Sequence, residues 1–108
     1  MIIDNVSAPC YAVIFTSIRT DEDPEGYSLA AQRMLDLARQ QPGFLGVESA
    51  REEGGVGITV SYWSSEAAIL AWKHHPEHAV IRERGRSTWY QRCTTRVAKV
   101  ERHYGYNA

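Results

Sequence analysis

Two indoles and three imidazoles fall within sixteen residues of this chain, at Trp63, Trp72, His74, His75 and His78. A titratable imidazole beside an indole is a candidate base near neutral pH, and two indoles offer flat apolar walls. Trp63 closes an alternating apolar run. Ser64 or Ser65 can then accept from the free N–H groups of a helix, and Glu66 suits the positive end of its dipole. A helix is therefore predicted from about Ser65, with Ile69, Trp72 and His75 or Pro76 on one stripe that turns toward whatever lies beneath. Pro76 cannot continue an unbroken helix, so the helix ends or kinks near His74 and His75 and a second piece runs from Pro76 to Arg84, before Gly85. His74, His75, Glu77 and His78 have spacing that invites a metal ion, but Pro76 interrupts it, and no metal is expected. A hydrogen-bonded His78 bridging helix and sheet is as ordinary as a catalytic one, and large aromatics at a strand-to-helix connection are more often core than cofactor box.

The elements that must position this constellation are legible on either side. Tyr11 to Ile18 is a β-branched and aromatic run, apolar on both alternating sets: Ala12, Ile14 and Ile18 on one side, Tyr11, Val13 and Phe15 on the other. Both faces of that strand need cover. Arg19 to Gly26 reads as a polar loop broken by Pro24. Tyr27 to Gln41 carries Tyr27, Ala30, Ala31, Met34, Leu35, Leu37 and Ala38 at helical spacing before Pro42-Gly43 stops it. Phe44 to Arg51 and Val56 to Trp63 read as a hairpin around Glu52-Glu53-Gly54-Gly55, and Thr88 to Glu101 as a last strand.

Length and composition exclude several function classes. A chain of 108 residues, 44% hydrophobic, suits one domain with one modest core. A formal net charge of -1 gives no basic stripe for phosphates, so nucleic acid is not an expected partner. Met1 to Val6 lacks the cationic start and apolar middle of a signal peptide, and no segment reaches membrane-spanning length, so a cytoplasmic location is expected. Cys10 and Cys93 have no CxxC spacing and are read as free thiols. The loop Asp21-Glu22-Asp23-Pro24-Glu25 lacks the spacing of a calcium loop.

The order strand, helix, strand, strand, broken helix, strand is that of the ferredoxin-like split βαβ unit, α+β, with both helices on one face of a four-stranded antiparallel sheet. One sheet face then stays bare. Because the first strand is apolar on both sides, a second copy of the chain is the simplest cover, and a homodimer is expected.

Gln41-Pro42-Gly43-Phe44-Leu45-Gly46, Gly57-Ile58-Thr59-Val60-Ser61-Tyr62-Trp63, Ala71-Trp72-Lys73 with His78, Trp89-Tyr90 and Val100-Glu101-Arg102 together resemble the antibiotic biosynthesis monooxygenase domain family, across roughly residues 10 to 106. The resemblance implies a single domain built as a dimeric α+β barrel, with a core of about residues 10–102. One branch of that family oxidises polycyclic aromatic phenols with molecular oxygen and neither metal nor flavin, so no cofactor is implied. Such a site must hold a flat apolar substrate, take a phenolic proton and stabilise the anion. Here the resemblance points to Trp63, Trp72, Trp89, Tyr62 and Phe15 as walls, to His78 or His75 as base, and to Arg82 or Arg19 as partner of the anion. Arg82 with Arg84 and Arg86 otherwise reads as a solvated charged face.

A second branch binds and degrades heme through an asparagine on the first strand, a tryptophan on the second helix and a histidine ten residues beyond it. Trp72 matches the tryptophan. Tyr11 to Ile18 contains no asparagine, Arg82 stands where the histidine would be, and His78 comes four residues too early. The expectation is thus a cofactor-independent monooxygenase acting on a small aromatic or quinol-type molecule. A non-catalytic dimeric small-molecule-binding protein and a heme-binding relative are the alternatives.

Overall fold

The structure, a computed structural model, describes residue 6 and residues 8–106. The signal-peptide reading of the first residues falls largely outside them. The elements are β1 (Cys10–Arg19), α1 (Pro24–Ala38), β2 (Phe44–Arg51), β3 (Val56–Trp63), α2 (Glu66–Lys73), α3 (Pro76–Arg84), a π-helical turn (Gly85–Trp89) and β4 (Tyr90–Val100). The four strands form one antiparallel sheet in the order β2-β3-β1-β4, the ferredoxin-like α+β arrangement. Among the described residues no helix is long and apolar enough to cross a membrane.

Three boundaries differ by two residues or more from the sequence reading, each for a local reason. α1 begins at Pro24 rather than Tyr27, because Asp23 caps it: its Oδ1 accepts from Gly26 N at 3.1 Å, with Pro24 in the first turn where a missing N–H costs nothing. It ends at Ala38 rather than Gln41, where Gln40 and Gln41 fold into tighter turns on the carbonyls of Leu37 and Ala38. β4 begins at Tyr90 rather than Thr88, since Thr88 and Trp89 close the π-helical turn. There Thr20 holds the C-terminal end of the turn, its N donating to Trp89 O at 2.9 Å and its Oγ1 to Thr88 O at 2.6 Å. The predicted break between the two later helices is present. His74 caps the end of α2, and the His75 Nδ1 accepts from Glu77 N at the start of α3.

Strand register sorts the side chains into two faces. Tyr11 is level with Trp63, Phe15 with Thr59 and Thr95, and Ser17 with Gly57 and Cys93. Helical residues meet this set: Trp72 of α2 stacks on Trp63, and Tyr27 of α1 touches Tyr90, which touches Phe15. The other face carries Cys10, Ala12, Ile14 and Ile18 of β1 with Val56, Ile58, Val60 and Tyr62 of β3. Val56 and Ile58 are 42% and 45% exposed, so an apolar patch on that side meets solvent. Cys10 lies level with Val100 and Cys93 with Ser17, seven residues or about 23 Å apart along the ladder, too far for a disulfide.

Gly43 is the residue that lets β2 begin under α2. Its φ of +86° suits glycine, and its carbonyl accepts from Ser64 N at 2.8 Å, tying the two ends of the β-hairpin together. That tie fixes Phe44 beside Trp63, and so fixes the floor of the site.

Candidate active site

Trp63 ends β3 and is fully buried. Its ring meets Phe44 edge-on at 5.4 Å and lies nearly parallel to Trp72 at 6.2 Å. Its Nε1 donates to Ser61 Oγ at 2.9 Å, so its polar atom is satisfied by its own strand. Trp63 is therefore a floor, and Trp72 the half-buried ring laid upon it.

α2 presents Trp72 because Ser65 starts the helix where β3 ends, its hydroxyl accepting from Ala68 N at 3.1 Å. The break at Pro76 then swings α3 back so that His78 stacks on Trp72, with ring centres 4.3 Å apart and planes 19° from parallel. His75 leans on the same indole at 5.7 Å. His78 Nδ1 lies 3.0 Å from the Trp72 carbonyl, which can only accept, so Nδ1 carries the hydrogen. Burial lowers the imidazole's pKa below its ordinary 6.5, against the opposing pull of that hydrogen bond and with help from the charges of Arg82 and His75. The result is a neutral imidazole whose Nε2 keeps its lone pair. Ring stacking fixes its plane and the carbonyl fixes its tautomer.

Arg82 follows His78 by one helical turn. Its Nη1 donates to the Lys73 carbonyl at 2.8 Å, closing the C-terminal end of α2, and its charge is felt at His78. Four candidate residues, Trp63, Trp72, His75 and His78, thus come together with Arg82 at their edge.

The remaining candidates lie elsewhere. Phe15 sits four residues along β1 from the position level with Trp63, about 13 Å away. It packs edge-on against Tyr90 at 5.3 Å. Trp89 is buried at the same end against Tyr27, its Nε1 donating to Asp23 Oδ2 at 3.3 Å. Tyr62 faces the opposite side of the sheet, where its hydroxyl donates to Glu48 Oε1 at 2.7 Å. Burial and that carboxylate push its pKa up to about 12. The eight side chains singled out by type therefore occupy two ends and two faces.

The histidine-rich stretch does not gather around one point. His75 caps α3, Glu77 pairs with Arg33 at 2.8 Å, and His78 lies on Trp72. Among the described residues no group of three or more His, Cys, Asp or Glu is arranged to hold a metal.

Sequence reasoning passed over Tyr27, Tyr90 and Arg51, which with Arg19 crowd the far end of the helix-covered face. One signal was present: Gly57 inside an otherwise β-branched and aromatic strand marks a place where another group approaches the backbone closely.

The sequence model of the antibiotic biosynthesis monooxygenase family matches residues 9–84, and the chain belongs to that family. The uncharacterized protein YqjZ of Bacillus subtilis (strain 168) is 57% identical over 94 residues, which are 87% of this chain and 82% of that protein. Among solved structures, a variant of SnoaB, described as a cofactor-independent oxygenase from Streptomyces nogalater, superimposes with a TM-score of 0.75. It is 13% identical, over 89% of this chain and 97% of that one. PA3566 from Pseudomonas aeruginosa gives a TM-score of 0.70 at 12% identity, over 93% of this chain and 100% of that one. At such identities these likenesses speak for the fold.

Proposed function

We propose that the protein is a monooxygenase that oxidises a small aromatic or quinol-type molecule with molecular oxygen, without metal or flavin, and that it works as a homodimer. The observation that carries the reading is the neutral His78, stacked on Trp72, with Nδ1–H spent on the Trp72 carbonyl and Nε2 left as a base. Family membership and the cofactor-independent oxygenase SnoaB among the structural neighbours support it.

In this reading a flat substrate lies against the Trp72 and His75 rings, with the buried Trp63 supporting Trp72 from beneath, and His78 Nε2 removes a proton from an activated CH₂ or hydroxyl group. The carbanion or phenolate is held by the remaining N–H groups of Arg82. It gives one electron to O₂, the two radicals combine to a peroxide, and loss of water leaves a carbonyl. For an anthrone-type substrate CH₂ and O₂ thus become C=O and H₂O, so one oxygen atom enters the product and the other leaves as water. Phe15 and Trp89 line the far end of the same sheet face. Tyr62 belongs to the open face, where the exposed Val56 and Ile58 invite a second copy.

The test is oxygen uptake by purified protein against a panel of anthrones and hydroxynaphthoquinones. Uptake is expected to fall about 100-fold or more in His78→Ala, the range for loss of a general base, and to fall in Trp72→Phe. Full turnover in both variants would refute the site. Saturable ligand binding with no oxygen uptake would mean a binding protein instead, and a Soret shift with hemin a heme-binding one. A sedimentation mass of one 12.2 kDa chain at micromolar concentration would refute the dimer.

A further inference from the structure

At the end of the sheet away from Trp63, one row runs across three strands: Arg51 of β2, Gly57 of β3 and Ser17 of β1 are register partners. The Arg51 side chain lies along that row. Its Nη2 donates to Ser17 Oγ, and its Nη1 donates to the carbonyls of Gly55 at 3.3 Å and Ser17 at 3.4 Å. It reaches across because position 57 has no side chain: a Cβ there would stand 2.2 Å from Arg51 Cζ. Ser17 is buried, so the guanidinium is anchored from beneath, with other N–H groups left over.

Arg19 brings a second guanidinium to the same end. Its Cζ lies 3.4 Å above the Tyr27 ring, and its Nε is buried with no hydrogen-bond partner among the described residues. The ion pairs among the described residues are Arg33–Glu77, Arg84–Asp23 and Arg86–Glu83, so among those residues neither Arg19 nor Arg51 has a carboxylate. Both charges also pull the Tyr90 pKa down against the burial that raises it, which agrees with two guanidiniums at this end of the sheet. A buried donor left unpaired is costly, and an anion nearby would offset the uncompensated charge of Arg19.

Beside these groups is a recess of about 240 Å³, lined by Tyr27, Arg51, Ser49 and Thr59 together with Ala50, Gly57 and Ile58. Its size falls below the roughly 300 Å³ at which drug-sized pockets begin, which suits one or two fused rings. Its composition is specific: one cationic fork at Arg51 matched to a planar carboxylate, an aromatic wall at Tyr27, and hydroxyls at Ser49 and Thr59.

We propose that this recess is a binding subsite for a small aromatic carboxylate, its carboxylate held by the free N–H groups of Arg51 in the field of the neighbouring Arg19 charge, and its ring set against Tyr27. The subsite lies at the other end of the sheet from Trp72 and His78, and it stands whether or not the protein is an oxygenase.

The test is a titration of the full chain with 2-naphthoate, read by amide chemical shifts at Arg51 and Gly57 and by tryptophan fluorescence. 2-Naphthamide and inorganic phosphate serve as competitors. Naphthoate is expected to bind at least about tenfold more tightly than the neutral amide or phosphate, because only it offers both ring and carboxylate. Arg51→Gln and, separately, Arg19→Gln are each expected to weaken naphthoate about tenfold or more and to leave naphthamide unchanged. Gly57→Ala keeps both charges yet displaces Arg51, and is expected to weaken naphthoate as well. Equal binding of acid and amide, displacement by equimolar phosphate, or no saturation below millimolar naphthoate would overturn the proposal, as would unchanged affinity in folded Arg51→Gln and Arg19→Gln. Since no turnover is measured, failure here and failure of the oxygenase reading are separate results.

Discussion

Replacing His78 by Asn retains a donor near the Trp72 carbonyl but removes the titrating ring, which makes the pair of proteins a direct measure of how the site holds its imidazole. The folded-state pKa lies below 6.5, chiefly through burial. Above pH 6.5 the imidazole is neutral in both folded and unfolded chains, and the stability linked to it is fully present. Between 6.5 and the folded value only the unfolded chain takes the proton, so stability falls as the solution is acidified. Below the folded value both states are charged and the slope vanishes. A single proton gives at most about 1.4 kcal/mol per pH unit, against a total of about 5–15 kcal/mol for a domain of this kind. Urea unfolding in steps from pH 7.5 to pH 5.0, at one protein concentration, should show the wild type losing stability relative to His78→Asn, with the difference opening below pH 6.5. The same lowered pKa predicts that oxygenase kcat/KM declines on the acid side of that window, where the base becomes protonated. Parallel stability profiles for the two proteins would refute the claim that His78 is held neutral between Trp72 and α3.

Other perturbations test the frame around the site. Trp63→Ala empties a fully buried indole from beneath Trp72 and should cost about 3–5 kcal/mol in urea unfolding. Gly43→Ala forces a Cβ to within 2.6 Å of Ala68 Cβ at a φ of +86°; a loss of about 1–3 kcal/mol is expected, and an unchanged melting temperature would contradict the strained turn. Ser65→Ala removes the hydroxyl cap of α2 and should cost about 1 kcal/mol, measured the same way. Glu77, its pKa lowered by Arg33, should lend stability above pH 4.5 that fades on further acidification. Both groups are exposed, so added salt should flatten that profile while leaving the His78 profile in place.

Local pattern alone determined the element order. The two-sided apolar run of β1, the glycine-bearing turn between β2 and β3, and the serine start and proline break of the second helical region are all signals carried by neighbours in sequence. They also determined the meeting of Trp63, Trp72 and His78, because a strand end, a short helix and a break fold back upon one another with little freedom. The start of α1 was legible in Asp23-Pro24 yet outweighed by the acidic composition around it, and the start of β4 depended on Thr20, which lies 68 positions from Thr88. Only the tertiary structure decided which aromatic residues share a pocket. Strand alternation already put Tyr62 on the face opposite Trp63, whereas pairing and crossover carried Phe15 and Trp89 to the other end. The row of Arg51, Gly57 and Ser17 exists because two hairpin strands and the first strand align, joining residues 34 positions apart. Periodicity tells which side of its own strand a residue occupies. Which distant residue stands beside it is set by pairing and crossover, and those depend on the whole chain at once.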